Sequence, residues 1–184
     1  MVERRSRLVV LAGPTAVGKG SVSACVRENH PDIWISVSVT TREPRPDEID
    51  GYHYHFVSNR EFDALVRDDS LLEWAVVHGA ARYGTPRRQV EEHLAAGQPT
   101  LLEIDLAGAR QVRASMPEAL FCFLKPPSWE ELVRRLVGRG TEDESERELR
   151  LRSARAEMAA ESEFDVTIVN ADVSIACQEL VELF

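Results

Sequence analysis

The stretch that decides the fold is Gly13-Pro14-Thr15-Ala16-Val17-Gly18-Lys19-Gly20-Ser21. It follows the apolar, β-branched run 8–12, which is typical of a buried parallel strand, and it precedes residues 22–28, which can continue as a helix. In such a strand–turn–helix unit, backbone N–H groups and the helix N-terminus point at an anion, and Lys19 adds a full positive charge. The stretch therefore predicts a phosphate-binding loop.

One position of this loop departs from the usual pattern GxxxxGK[ST]. The residue after Lys19 is Gly20, where a Ser or Thr hydroxyl usually reaches magnesium. Ser21 follows one position later, and the sequence leaves open whether its hydroxyl compensates. The simplest alternative is a glycine-rich turn with an incidental lysine, and the strand before the loop disfavours it.

Composition limits the classes of protein to consider. The chain has 184 residues and 43% hydrophobic content, enough for one domain with a small insertion. Its apolar runs are too short for a membrane span or a signal-peptide core, so we expect a cytoplasmic protein. The net charge of −9 argues against a nucleic-acid polymer or an anionic membrane as partner. The three cysteines lack metal-ligand spacing and are predicted to be core residues.

Strands and helices alternate along most of the chain, which predicts an α/β fold with a parallel sheet of about five strands. Further strands are predicted at 33–39, 52–57, 71–77, 100–105, 119–124 and 164–170, and a turn at 83–86. Helices are predicted at 59–67, 87–96, 107–115, 146–160 and 173–183, and a polar loop at 138–144. The β-rich segment 39–86 is interpreted as a small binding insertion in a core domain formed by 1–38 and 87–184.

Arginines are clustered in an otherwise acidic chain. Arg42 and Arg45 lie three apart in a proline-broken loop after a predicted strand, where they are well placed to grip an anion. A second group lies at 147–155, where the favoured interpretation for most members is a solvated helix face paired with nearby glutamates such as Glu157.

Eight motifs then occur in order along the chain. They are the phosphate-binding loop, SVSVTTREPR at 36–45, GYHYHF at 51–56, LEWA at 72–75, YGT at 83–85, EIDLAG at 103–108, RGTE at 139–142, and Phe164-Asp165 with Asn170. Together they resemble the guanylate kinase family over essentially the whole chain. The resemblance implies a P-loop kinase fold with a small GMP-binding insertion at 39–86 and a mobile lid at about 138–149.

The resemblance also implies the reaction and its site. ATP would transfer its γ-phosphoryl group to GMP, giving ADP and GDP with Mg²⁺ as cofactor; acceptance of dGMP and the oligomeric state are left open. ATP would bind to loop residues Gly13 to Ser21 and to Asn170, although a turn asparagine is an equally good account of Asn170. The implied catalytic residues are Lys19, Arg42, Arg139 and Arg150. The implied GMP-binding residues are Ser38, Arg42, Arg45, Tyr54, Glu73, Tyr83, Thr85 and Asp105.

Elementary chemistry supports these roles. A carboxylate such as that of Glu73 can accept hydrogen bonds from guanine N1 and N2 together, and adenine lacks that pair of donors. The attacking GMP phosphate oxygen is already anionic, so the reaction needs cations and alignment rather than a general base. No direct protein ligand to magnesium is predicted, and Asp105, Glu103 and Ser21 are alternatives for a contact through water.

Two other functions are compatible with parts of the sequence. A non-catalytic guanylate-kinase-like interaction module would use the same cleft to bind partners, but such modules usually lose parts of the phosphate loop or lid. A related P-loop kinase acting on a phosphorylated sugar would leave Glu73 and the aromatic segment around Tyr83 unexplained. The retained lysine and arginines favour the enzyme.

Overall fold

The computed structural model describes residues 7–77, 81–137 and 144–184. The strands within these ranges are β1 (Leu8–Ala12), β2 (Trp34–Ile35), β3 (Val39–Thr40), β4 (His55–Phe56), β5 (Leu71–Val77), β6 (Ala81–Pro86), β7 (Thr100–Glu103), β8 (Leu120–Lys125) and β9 (Val166–Val169). The helices are α1 (Lys19–Asn29), α2 (Asn59–Arg67), α3 (Arg87–Ala95), α4 (Leu106–Ser115), α5 (Trp129–Val137), α6 (Glu144–Ala159) and α7 (Val173–Val181), and a 3₁₀ turn follows α6 at Ala160–Glu163.

The larger sheet has five strands in the order β2-β7-β1-β8-β9, and all neighbouring strands are parallel. The prediction of a five-stranded parallel α/β sheet is therefore confirmed. Side chains of the central strand β1 alternate between two cores, with Val9 and Leu11 in one and Val10 and Ala12 in the other. Helices α1, α5, α6 and α7 contribute to the first core, and α3 and α4 contribute to the second. The sheet is thus covered on both faces, as parallel sheets require.

A smaller sheet lies between β2 and α3 in the chain. Its order is β4-β3-β6-β5, with β3 and β4 parallel and the other two pairings antiparallel. Phe62 of α2 is fully buried against Val39 and Leu71 and gives this sheet its own small core. Helix α2 starts at a capping box in which Ser58 Oγ accepts from Glu61 N at 3.2 Å and Glu61 accepts from Ser58 N at 2.7 Å.

The outer strand of the smaller sheet is tied to helix α4 through its backbone. The side-chain amide of Gln111, on α4, donates to Trp74 O at 2.7 Å and accepts from Trp74 N at 3.2 Å. One glutamine thus satisfies both backbone groups of a β5 residue, so β5 has a covered edge.

Three local predictions are wrong. The predicted strand 33–39 is divided: its first part joins the large sheet as β2, and its end starts β3 in the small sheet. Of the predicted strand 52–57, only His55–Phe56 pairs as β4, because the chain makes a turn at 51–53. The predicted turn 83–86 lies inside β6, where Gly84 is required by crowding: a Cβ there would lie 2.8 Å from Leu71 Cδ1.

The remaining helix predictions hold within one or two residues at most ends, and Gly97, with φ of 77°, follows the end of α3. Most of the predicted loop 138–144 lies outside the described residues. None of the helices in the described ranges combines the length and apolar character needed to cross a membrane.

Candidate active site

A cavity of about 740 Å³ lies between the carboxyl edge of the large sheet, the small sheet and helix α6. This edge is where parallel α/β sheets bind ligands. Of the residues predicted for the site or its magnesium, the cavity is lined by Gly13, Thr15, Lys19, Ser38, Arg45, Tyr54, Glu73, Tyr83, Glu103, Asp105 and Arg150. Residues far apart in sequence are thus brought to one space that reaches from the loop to the small sheet.

The phosphate-binding loop follows β1 and leads into α1 at Lys19. Gly18 has a φ of 99°, and a Cβ there would lie 2.6 Å from Asn170 Nδ2. That amide donates to Val17 O at 2.8 Å, and Arg135 Nη1 donates to the same oxygen at 3.0 Å. The side chains of Asn170 and Arg135 therefore both support the loop at Val17. The buried Asn170 amide is hydrogen-bonded to the loop itself.

Lys19 lies folded over its own loop. Its ammonium donates to Gly13 O at 2.8 Å. Burial lowers the pKa of Lys19, while the negative charges of Glu103 and Glu157 act in the opposite direction. The loop thus presents one desolvated cation close to carboxylates at the cavity wall.

The exposed Gly20 at the start of α1 has open space beside it. A Cβ at this position would meet Glu103 Oε1 at 3.7 Å, an ordinary contact distance, and Ser21 is likewise exposed. No group of three or more His, Cys, Asp or Glu side chains that could hold a metal occurs in the described part of the chain. Glu103 and Asp105 nevertheless fit Mg²⁺, which is usually held in kinase sites by one or two carboxylates together with water and phosphate oxygens.

Arg42 is held in place by an acidic partner that was not predicted. Glu48 accepts two hydrogen bonds from its guanidinium, at 2.8 and 2.9 Å, and the pairing lowers the pKa of Glu48 to about 2. Arg42 Nε also donates to Tyr83 Oη at 3.0 Å, and the Tyr54 ring lies under the guanidinium. Arg45 is two-thirds exposed and lies 4.0 Å from Glu48. Two arginines and two tyrosines therefore converge at this end of the cavity.

A buried carboxylate lies at the far wall of the cavity. Glu73 is 5% exposed, and its Oε1 accepts from Thr85 Oγ1 at 2.6 Å because the two residues are paired across β5 and β6. Burial raises the pKa of Glu73 to about 7, and the negative charge of Asp105 adds to the effect. Gly108 lies so close to Glu73 that a Cβ would overlap Glu73 Oε2.

Asp105 has a structural role in addition to lining the cavity. It is the N-cap of α4, and its Oδ1 accepts from Gly108 N at 2.7 Å. Glu103 ends β7, so both carboxylates predicted at the end of this strand reach the same space.

The other predicted residues lie beside the cavity or behind its wall, or are not described. Arg42 and Thr85 contact the cavity-lining residues Tyr83 and Glu73. Pro14, Ala16, Val17, Gly18, Gly20, Ser21 and Asn170 form or support the loop. Arg139 lies outside the described residues.

Helix α6 forms one wall of the cavity through four side chains, Leu149, Arg150, Ser153 and Glu157. Glu157 was expected to pair with arginines of its own helix, but the hydrogen bonds of its carboxylate in the described residues go to Thr15, with Thr15 N at 2.7 Å. Arg155 instead lies over the Trp129 ring, 5.1 Å from its centre.

Two residues of this region, Glu48 and Glu157, had no predicted place in the site. Gly108 belongs to the EIDLAG motif but was given no role of its own. Glu48 had a local signal, since it lies three residues after Arg45. Glu157 had none, since its partner Thr15 is 142 positions away.

The comparison with protein families agrees with this geometry. The guanylate kinase family model matches residues 5–184. The chain belongs to the guanylate kinase family. The motif-based interpretation is therefore confirmed. A guanylate kinase from Leifsonia xyli is 60% identical over 99% of this chain and 72% of that protein. A guanylate kinase from Thermobifida fusca is 59% identical over 98% of this chain and 92% of that protein.

Solved structures show the same relationship. A guanylate kinase from Anaplasma phagocytophilum superposes with a TM-score of 0.77 at 32% identity, covering 97% of this chain and 83% of that one. A dephospho-CoA kinase from Campylobacter jejuni has a TM-score of 0.50 at 12% identity, which shows the shared fold alone.

Proposed function

We propose that this chain transfers the γ-phosphoryl group of ATP to GMP, giving ADP and GDP, as an ATP:GMP phosphotransferase of purine nucleotide metabolism. The observation that carries the proposal is the cavity itself. One space joins the phosphate-binding loop to the buried Glu73–Thr85 pair, so it has a place for a triphosphate and a place for a guanine base. Membership of the guanylate kinase family supports the same pairing of substrates.

The loop is proposed to hold ATP. Amides from Gly13 to Ser21 and the Lys19 ammonium would bind its β- and γ-phosphates. Asn170 would act from behind by supporting Val17 and Gly18, a role that its hydrogen bond to Val17 O favours. Arg150, on the cavity wall, and Arg139 would screen the transferring phosphoryl group.

The small sheet is proposed to hold GMP, with 39–86 as the GMP-binding subdomain, 1–38 and 87–184 as the core domain, and about 138–149 as a lid. The GMP phosphate would meet the end of the cavity that carries Arg42, Arg45, Tyr54 and Tyr83. Guanine would enter between Ser38, Glu73, Thr85 and Asp105. Because Glu73 is buried and Thr85 is its only hydrogen-bond partner among the described side chains, a base that lacks paired donors would leave the rest of its carboxylate unpaired and would be rejected.

The chemistry follows from bringing two anions together. The phosphate oxygen of GMP attacks the γ-phosphorus of ATP, and the bond from that phosphorus to the bridging oxygen of ADP breaks. Mg²⁺ supplies screening of the phosphate charge when bound, and Glu103 and Asp105 would hold it through water. Lys19 and the arginines supply the remaining positive charge, and the cavity walls align the groups. We propose the cytoplasm, where both nucleotides are available, as the compartment.

The test is a nucleotide panel in a coupled assay of ADP release with Mg-ATP. GMP should be turned over far faster than AMP, CMP or UMP, and dGMP belongs in the panel. Lys19→Ala should reduce turnover by orders of magnitude, and Arg27→Ala, in the last turn of the same helix, serves as its matched control. Absence of GMP-dependent ADP release would contradict the proposal and would favour an interaction module or a kinase of another substrate.

A further inference from the structure

The carboxylate of Glu157 occupies part of the phosphate-binding loop. Its Oε2 accepts from the Thr15 backbone N–H at 2.7 Å, and its Oε1 lies 3.5 Å from Thr15 Oγ1. Backbone N–H groups of this loop are the donors that bind phosphate oxygens. An anion supplied by the protein thus takes a donor that an anionic ligand would use.

The negative charge of Glu157 opposes the binding of a nucleotide phosphate at this loop. Glu157 lies close enough to Lys19 to act on its charge, and both side chains line the same cavity. A triphosphate entering the loop would meet a like charge at its binding donors. Two anions a few ångströms apart repel one another unless one of them moves.

Glu157 also has a connection to the rest of the site. It lies seven residues after Arg150 on α6, which is about two helical turns, so both side chains project from the same face into the cavity. The hydrogen bond to Thr15 therefore links the wall that carries Arg150 directly to the loop.

We propose that Glu157 is an internal competitor for the phosphate site: its carboxylate occupies the Thr15 amide in the free protein and is displaced by a phosphate of ATP. ATP binding then releases α6 from the loop and allows the wall that carries Arg150 to adjust. This inference rests on the proposed use of the loop for ATP. Glu157 therefore weakens ATP binding, and the same hydrogen bond couples the position of α6 to the occupancy of the loop.

The test is the affinity for a nonhydrolysable ATP analogue with Mg²⁺, measured by calorimetry on the full chain. Glu157→Gln keeps the size of the side chain and an oxygen acceptor for Thr15 but removes the charge. We expect the Kd for the analogue to fall about tenfold, since the like charge is removed at the binding site. Glu163→Gln is the matched control, because Glu163 pairs with Arg110 on the surface, and its Kd should equal that of the wild type.

Nuclear magnetic resonance provides a second readout that needs no variant. Saturating analogue should move the Thr15 amide resonance of the wild type and shift the Glu157 carboxyl carbon toward values of solvated glutamates. A Glu157 carboxyl signal that does not change on saturation would overturn the proposal. So would a Kd for Glu157→Gln that is equal to or higher than that of the wild type, since Glu157 would then only support the loop. If the wild type bound no analogue at all, the proposed function would fail together with this inference.

Discussion

At the scale of single residues, the protonation state of Glu73 should control GMP binding. Its pKa of about 7 lies well above the ordinary value, because the side chain is buried. Only the ionised form can accept from guanine N1 and N2 together, so the KM for GMP should rise as the pH falls below 7, approaching tenfold per pH unit. The measurement is the KM for GMP between pH 5.5 and 8.5.

The GMP phosphate also titrates near pH 6, so a control is needed. In Glu73→Gln, titration of the GMP phosphate still affects the KM for GMP. The part of the pH dependence of the KM that is centred near pH 7 should be absent. Identical pH profiles for the two proteins would show that Glu73 does not read the base.

The same ionisation should influence stability without any nucleotide. Because the folded-state pKa of Glu73 is raised, the protonated form is favoured in the fold, and the free energy of unfolding should fall as the pH rises from about 4.5 through 7. The shift corresponds to a change of the order of 3 kcal/mol. Denaturant unfolding of the wild type and Glu73→Gln at pH 5 and pH 8 checks this: the wild type should lose more stability between the two values. An equal loss in both proteins would contradict the assignment.

The absence of a side chain at Gly108 should allow the Glu73 carboxylate to keep its position at the cavity wall. A Cβ at this position would overlap Glu73 Oε2, while alanine itself suits a helix interior better than glycine. We therefore expect Gly108→Ala to raise the KM for GMP about tenfold, because the Glu73 carboxylate must shift, with little change in the KM for ATP. Steady-state kinetics with each substrate varied will measure this. Ala107→Ser, on the exposed side of the same turn, is the control, and a rise in the KM for ATP alone would refute the idea.

At the scale of elements, we expect the first turn of α1 to influence how the loop meets Mg²⁺. Gly20 stands where a hydroxyl is usual, and the space next to it opens toward Glu103. Gly20→Ser should lower the Mg²⁺ concentration needed for half-maximal activity about threefold, because a hydroxyl adds one oxygen ligand. Gly20→Ala adds the same Cβ without the oxygen and should leave the magnesium dependence unchanged. Equal behaviour of both variants would show that the hydroxyl has no part in magnesium binding.

The strands, helices and loop also show which features could be predicted from the sequence and which could not. The loop and β1 are local, so short patterns were enough to place them. The strand predicted at 33–39 is divided because its two halves pair with different sheets. The first half pairs with β7 and the second with β6, and these distant partners leave no sign in the segment itself. The bond from Glu157 to Thr15 was beyond prediction for the same reason, since neither end carries a local sign of the other. Glu73 and Thr85 were assigned through family motifs, and the β5–β6 register brings them together.

At the scale of the whole molecule, the cavity should close when both substrates bind. Val76 and Leu149 face the cavity from opposite walls, and each is more than half exposed. Bringing such apolar side chains together removes water from the site and is favourable. Small-angle X-ray scattering should show a smaller radius of gyration with GMP and a nonhydrolysable ATP analogue together than without them. Each nucleotide alone is the control, and superimposable profiles in all four states would contradict closure.

The glutamine that joins α4 to β5 limits how the small sheet can move. Because Gln111 holds both backbone groups of Trp74, the outer strand of the small sheet is anchored to α4. Strands β3 and β4 lie on the opposite side of that sheet. Only residues 36–38 separate β3 from β2 of the large sheet, so the small sheet is tethered at two of its strands. We expect closure of the cavity to leave Glu73, next to the anchored Trp74, close to its position in the free protein. We therefore expect the wall that is proposed to recognise the base to be in place before the cavity closes.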